Sequence, residues 1–224
     1  MKTKSLIYLG LIFIISSCQE SLNSDEIRIG EQVWMSENLN VTTFRNGDPI
    51  PEVKTDEEWV KAGKEGKPAW CYYENRVVQN DSENGKKYGK LYNGYAVCDP
   101  RGLAPSGWHI PSDDEWTILT NFLGGEEYAG EKMKTISGGW THFKYQEAKI
   151  KKGTNESGFS GLPGGARNAY NGECYLFGLH GRFWSSTESS KGGLIDRNIS
   201  TTFNNLFRGS SDKTQGQSVR CIKD

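Results

Sequence analysis

Two stretches of the chain pass from polar to helically spaced apolar positions in the same way. Thr55-Asp56-Glu57-Glu58-Trp59 and Ser112-Asp113-Asp114-Glu115-Trp116 each open on a hydroxyl residue with Glu three positions later, the pattern of a capping box. Acidic residues load both first turns, where the helix dipole favours them. In the second stretch Trp116, Leu119, Phe122 and Leu123 form an apolar stripe that Gly124-Gly125 stops, and the first is predicted to end near Gly63. Glu126 to Ile136 is a weaker third helix. Elsewhere short apolar runs predict strands at Gln32–Met35, Ala69–Tyr73, Lys90–Val97, Arg182–Ser186, Leu194–Thr201 and Ser218–Ile222. The last would carry Val219 and Cys221 on one face. Ser157 to Gly165 holds four glycines and Pro163 and reads as a loop. Early helices, short strands and long structured loops predict an α+β domain.

The N-terminus has a different pattern. Lys2 and Lys4 precede an apolar run from Leu6 to Ile15, which ends in Ser16-Ser17-Cys18. That is the layout of a secretory signal, and the run falls short of the roughly 20 residues that span a bilayer. Ile15-Ser16-Ser17-Cys18 resembles a bacterial lipobox, in which the cysteine is lipidated and becomes the mature N-terminus. The expectation is a leader at residues 1–17, a polar tether at 18–27 and one domain at 28–224, held at the outer membrane or cell surface by acyl chains. Cleavage would remove two lysines and shift the balance of 27 basic and 28 acidic side chains from −1 to −3.

Composition narrows the function classes. The near-neutral balance lacks the basic footprint of a nucleic-acid binder. Glycine is 27 of 224 residues and aromatics are 12%, which suits irregular segments pinned by large rings. Four cysteines follow Cys18, namely Cys71, Cys98, Cys174 and Cys221, and outside the cytosol they permit two disulfides in three connectivities. A bridge involving Cys221 is expected, with its partner open. No pair has CxxC spacing, so a zinc site is not expected.

Several strings accumulate into a family. They include Ile29 to Asn40, Tyr88-Gly89-Lys90-Leu91-Tyr92-Asn93, Gly107-Trp108-His109-Ile110-Pro111-Ser112, Ser157 to Gly165, Phe183-Trp184-Ser185-Ser186-Thr187-Glu188 and Ser218-Val219-Arg220-Cys221. In this order, from about Arg28 to Lys223, they resemble the Fibrobacter succinogenes major paralogous domain, found in surface and secreted lipoproteins. That family is similar to the formylglycine-generating-enzyme (sulfatase-modifying-factor) domain, a variant of the C-type lectin fold. The resemblance therefore implies a single C-type-lectin-like domain with two or three helices, short antiparallel strands and long structured loops.

The formylglycine oxidases hold copper between two cysteines near the C-terminus, whereas Cys221 stands alone there. Related iron enzymes need a histidine-rich set, but this chain has only His109, His142 and His180, no two of them at a helical interval. His109, between Trp108 and Ile110, reads as a packed, hydrogen-bonded residue. No nucleophile elbow or Walker lysine is present. No catalytic residue, metal or cofactor is assigned. The calcium motifs of sugar-binding lectins are missing too, although Asp196 and Asp212 leave structural calcium open.

A tethered, aromatic-rich domain of this kind predicts recognition. Rings stack on sugar faces while amides and guanidinium groups fix the hydroxyls. The loops from Trp140 to Asn171 and Thr187 to Gly216 supply candidates: Trp140, Arg167, Tyr170, Tyr175, Arg182, Asn204, Asn205 and Arg208. Arg167 follows the Pro163-Gly164-Gly165-Ala166 turn and could instead satisfy loop carbonyls. An extracellular glycan is the leading ligand class. A protein partner, as in an adhesin or an assembly subunit, comes second, and a metal-dependent oxidase third.

Overall fold

A computed structural model describes residues 23–73, 87–141 and 149–224. Cys18, His142 and the leader fall outside them. The described helices are α1 (Asp56–Lys64), α2 (Gly94–Val97), α3 (Asp113–Phe122) and α4 (Glu126–Met133). The described strands begin with β1 (Glu26–Ile29), β2 (Gln32–Met35), β3 (Trp70–Cys71), β4 (Leu91–Asn93), β5 (Trp108–His109) and β6 (Gly164–Arg167). They continue with β7 (Cys174–Phe177), β8 (His180–Glu188), β9 (Leu194–Ser200), β10 (Leu206–Ser211), β11 (Gly216–Gln217) and β12 (Ile222–Lys223). A four-stranded sheet runs β1-β2-β12-β5. An eight-stranded sheet runs β10-β9-β8-β6-β11-β4-β3, with β7 also paired to β6. The β6–β8 pair is parallel, so the larger sheet is mixed. The molecule is an α+β domain.

Both capping boxes form as the sequence predicts. The Thr55 hydroxyl accepts from the Glu58 amide at 3.1 Å, and the Glu58 carboxylate accepts from the Thr55 amide at 3.1 Å. Ser112 and Glu115 repeat the exchange at the start of α3. Phe122 departs from the expected stripe. It is 62% exposed, while Trp116, Leu119 and Leu123 are buried. The Phe122 ring instead lies at the surface against Gly30 of the β1–β2 turn.

The larger sheet is buried on both faces at its centre. Consecutive residues of β8 point opposite ways, so Phe183 joins one core cluster and Trp184 another. The Phe183 cluster stacks Trp34, Trp116 and Phe159 with ring centroids 4.8–5.9 Å apart. The Trp184 cluster holds Trp70, Tyr92, Val219 and Cys221. A third cluster, under α1, contains Trp59, Ala69, Cys71 and Leu91.

Three expectations are corrected. The tether was expected to reach residue 27, but β1 already starts at Glu26: Ile27 pairs with Trp34, and Lys223 grips the Glu26 carboxylate at 2.8 Å. Lys90–Val97 is a strand only over Leu91–Asn93. There the Asn93 side chain accepts from the Ala96 amide at 2.9 Å and turns the chain into α2. The closing strand divides into β11 and β12, with Val219 and Cys221 buried between them. Cys221 is buried in the Trp184 cluster, and burial pushes its thiol up to about 12. Arg220 fixes this segment. Its buried guanidinium donates to Asn38 Oδ1 and to the carbonyls of Met35, Ser36 and Phe159.

Candidate functional site

The candidate recognition residues do not converge. Arg167 is buried and spends its donors on the Gly172 and Thr55 carbonyls, at 2.7 and 2.8 Å, and on Asp56 at 3.0 Å. Its guanidinium lies 5.0 Å from the Trp59 ring centroid. Trp140 is half-buried against the Trp34 cluster, with the Lys134 ammonium 5.7 Å from its ring. Arg182 pairs with buried Asp196 at 2.9 Å and donates to the Tyr175 hydroxyl at 3.3 Å. Asn204 donates to Glu131, and the Asn205 carbonyl packs against Gly130 of α4. Arg208 chelates Asp113 through two nitrogens. These residues are tied into the fold, although Trp140 Nε1, one terminal nitrogen of Arg167, Arg182 Nε and Asn204 Oδ1 are buried without a hydrogen-bond partner among the described residues.

The carboxylates considered for calcium are engaged too. Asp196 accepts from Arg182, Ser211 and Gln217, and Asp212 accepts from the Thr214 amide and hydroxyl. Among the described residues, no group of three or more His, Cys, Asp and Glu side chains is set to hold a metal ion. His109 is bonded on both nitrogens, to Glu115 at 2.7 Å and to Asp224 at 2.8 Å, which is the structural role its sequence context predicts.

Tyr170 is different. Its ring is 88% exposed and borders a groove of about 500 Å³. One wall is the outer face of α1, with Asp56, Glu57, Val60, Lys61 and Lys64. Tyr170 and Asn171, on the turn between β6 and β7, form the other. That turn is held firmly. Asn168 Oδ1 accepts from the Tyr170 amide at 2.8 Å, and Asn171 donates to Glu173 at 2.7 Å. Gly172 has φ +75° and presses so close to the Asp56 backbone that a Cβ would collide with it. Arg167 then ties the turn to the start of α1 from beneath. An exposed ring is thus presented at small entropic cost to whatever it meets.

The groove carries both signs of charge. Hydrogen bonds from its own backbone N–H and from the Thr55 hydroxyl hold Glu57 below the usual carboxylate range. The Lys67 ammonium does the same for Glu65, at the end of the groove. Both stay ionised at neutral pH, a state suited to accepting hydrogen bonds and not to donating protons. A second groove of about 470 Å³ lies between residues 187–191 and 208–210, but no aromatic ring lines it.

Sequence reasoning named Tyr170 and missed the α1 wall. The exposed face of an amphipathic helix looks the same whether it meets solvent or a ligand. Only the contact between Gly172 and Asp56, 116 positions apart, reveals it.

Fold and site together define a mixed-sheet α+β domain with an aromatic-rimmed surface groove. A family model, the Fibrobacter succinogenes major domain, matches residues 27–223. The chain belongs to that family, a group of surface-associated domains. No curated protein and no solved structure matches it significantly.

Proposed function

We propose that this protein is a lipid-anchored cell-envelope protein whose domain, of C-type-lectin-like fold, binds an extracellular glycan in the Tyr170 groove without catalysing a reaction. The observation that carries this reading is the Tyr170 ring, 88% exposed on a turn locked to α1. A firmly held turn that presents an aromatic ring to water suits a partner that stacks on that ring. Asp56, Glu57, Asn171 and the two lysines place hydrogen-bonding groups around that face, as a sugar's hydroxyls require. The leader pattern and Cys18 support delivery to the outer membrane or cell surface.

A protein partner is the second reading. Phe203 and Phe207 support it: their rings stack edge-to-face at 5.5 Å, 53% and 38% exposed, beside edge strand β10.

The test is binding of the chain from Gln19 to Asp224 to a broad glycan array, with and without calcium, alongside Tyr170→Ala. Expected is a specific, calcium-independent signal that falls at least about tenfold in the variant while the melting temperature holds. A blank array, or a signal indifferent to Tyr170, overturns the glycan reading and leaves the Phe203–Phe207 surface to be tested by Phe207→Ser.

A further inference from the structure

Cys71 and Cys174 are far apart in sequence, on β3 and β7, and each is paired to a different strand: Cys71 to Leu91 of β4, Cys174 to Arg167 of β6. Tertiary packing nonetheless brings the two segments together. The Tyr73 ring, on the same face as Cys71, stacks on Phe177 with centroids 4.7 Å apart. Tyr73 Cε2 also comes within 2.6 Å of the place a Cβ would take on Gly165 of β6, so the segments touch closely. Within this packing the Cys71 and Cys174 thiols are neighbours, each two or three residues from one of the stacked rings. A disulfide needs the two Cα atoms within about 4.4–6.8 Å, a spacing that side chains in direct contact can meet. Cys98 is exposed, and Cys221 lies in a different core cluster from Cys71.

We propose that Cys71 and Cys174 are the redox pair of this domain and join in a disulfide that staples the Tyr170 hairpin to β3. The pairing rests on the thiol contact and stands whether or not the groove binds glycan. Burial divides the roles. Cys71 is fully buried, and desolvation pushes its thiol well up, so it makes a poor first nucleophile. Cys174 is half-buried and meets the oxidant first. Cys174 loses its proton and attacks a disulfide oxidant, RSSR, forming a mixed disulfide and releasing one RS⁻. Cys71 then loses its proton and attacks the Cys174 sulfur, expelling the second RS⁻. Two protein thiols are oxidised, one RSSR is reduced to two RSH, and the two protons go to the leaving thiolates. The bond would close a loop of about 100 residues, and a cross-link restrains the unfolded chain more the longer the loop it closes.

The test uses the purified full chain, fully reduced and then oxidised with glutathione disulfide. Remaining thiols are alkylated, and the protein is digested without reductant for peptide mass mapping. The expected product is a linked Cys71–Cys174 peptide pair, with Cys98 and Cys221 alkylated. Oxidation should also raise Tm by roughly 5 to 10 °C over the reduced protein, and that gain should vanish in Cys174→Ala, the less buried partner. Recovery of both cysteines in alkylated form, or of either linked to Cys98 or Cys221, overturns the proposal. The mapping needs no variant, so a misfolded mutant cannot obscure the answer, and it is independent of any glycan result.

Discussion

Arg220 shows what one buried charge can organise. Its guanidinium is fully enclosed, lies 4.4 Å from the Phe159 ring centroid, and satisfies the Asn38 side chain and three backbone carbonyls. Desolvation pulls its pKa down, so the site tolerates the charge only because these acceptors surround it. Arg220→Met should cost about 3–5 kcal/mol in denaturant unfolding, since it strands acceptors that water cannot reach. Arg220→Lys should recover little of that, because an ammonium lacks the planar fork. A loss under about 1 kcal/mol would show that the carbonyls find other donors. His109 makes a separate, pH-dependent claim. Burial pulls its pKa down, but the bonds to Glu115 and Asp224 outweigh that and raise it above 6.5. Glu115 moves the other way: burial raises it, and the Ser112 amide and His109 overcome that to lower it below 4.5. A raised base stabilises the fold below its unfolded pKa and loses that effect as pH rises through its folded one; a lowered acid behaves conversely. The contact should therefore stabilise most between about pH 5 and 6.5. The Tm gap between wild type and His109→Gln should shrink steadily as pH is raised above that window, and a gap unchanged up to pH 9 would refute the assignment. The Val-Arg-Cys close was visible in the sequence as a family string. What Arg220 holds was not, because its acceptors lie 61 to 185 positions away along the chain.

Local chemistry decides some elements and tertiary contact decides others. The capping boxes at Thr55 and Ser112 were readable because every participant lies within four residues. The Lys90–Val97 segment misled for the opposite reason. Its apolar spacing fits a strand, but Asn93 also accepts from the Ala69 amide at 3.1 Å and donates to the Lys67 carbonyl at 2.8 Å, so a distant loop selects the turn into α2. Gly130 in α4 gives a prediction of inverted sign. Glycine to alanine inside an open helix stabilises by about 1 kcal/mol. Here a Cβ would run into the Asn205 and Asn204 carbonyls, and the Glu131 amide already donates to Asn204 at 2.8 Å. Gly130→Ala should therefore destabilise by about 1–3 kcal/mol, as overpacking does. Thermal melts would read this directly, and a stabilised variant would mean that α4 can slide away from the turn before β10.

For the molecule as a whole, the sequence was most informative about class and least about assembly of the site. Capped helices, short apolar runs and long loops foretold an α+β domain, aromatic and glycine excess suited its irregular segments, and Tyr170 was among the residues singled out. Most of the other candidates serve the interior, because an arginine or asparagine in a glycine-rich loop is as useful for satisfying carbonyls as for meeting a ligand. The two sheets also bring the ends of the domain together. β12 lies between β2 and β5, and Lys223 holds Glu26 at 2.8 Å. A domain whose last strand pairs with its first hairpin takes up almost no length along a polypeptide. It can be spliced into a surface loop of a host protein, or copied many times along one chain, without stretching what flanks it. Its two ends could equally be fused by a short glycine linker and the ring reopened elsewhere, giving a permuted chain with the same groove.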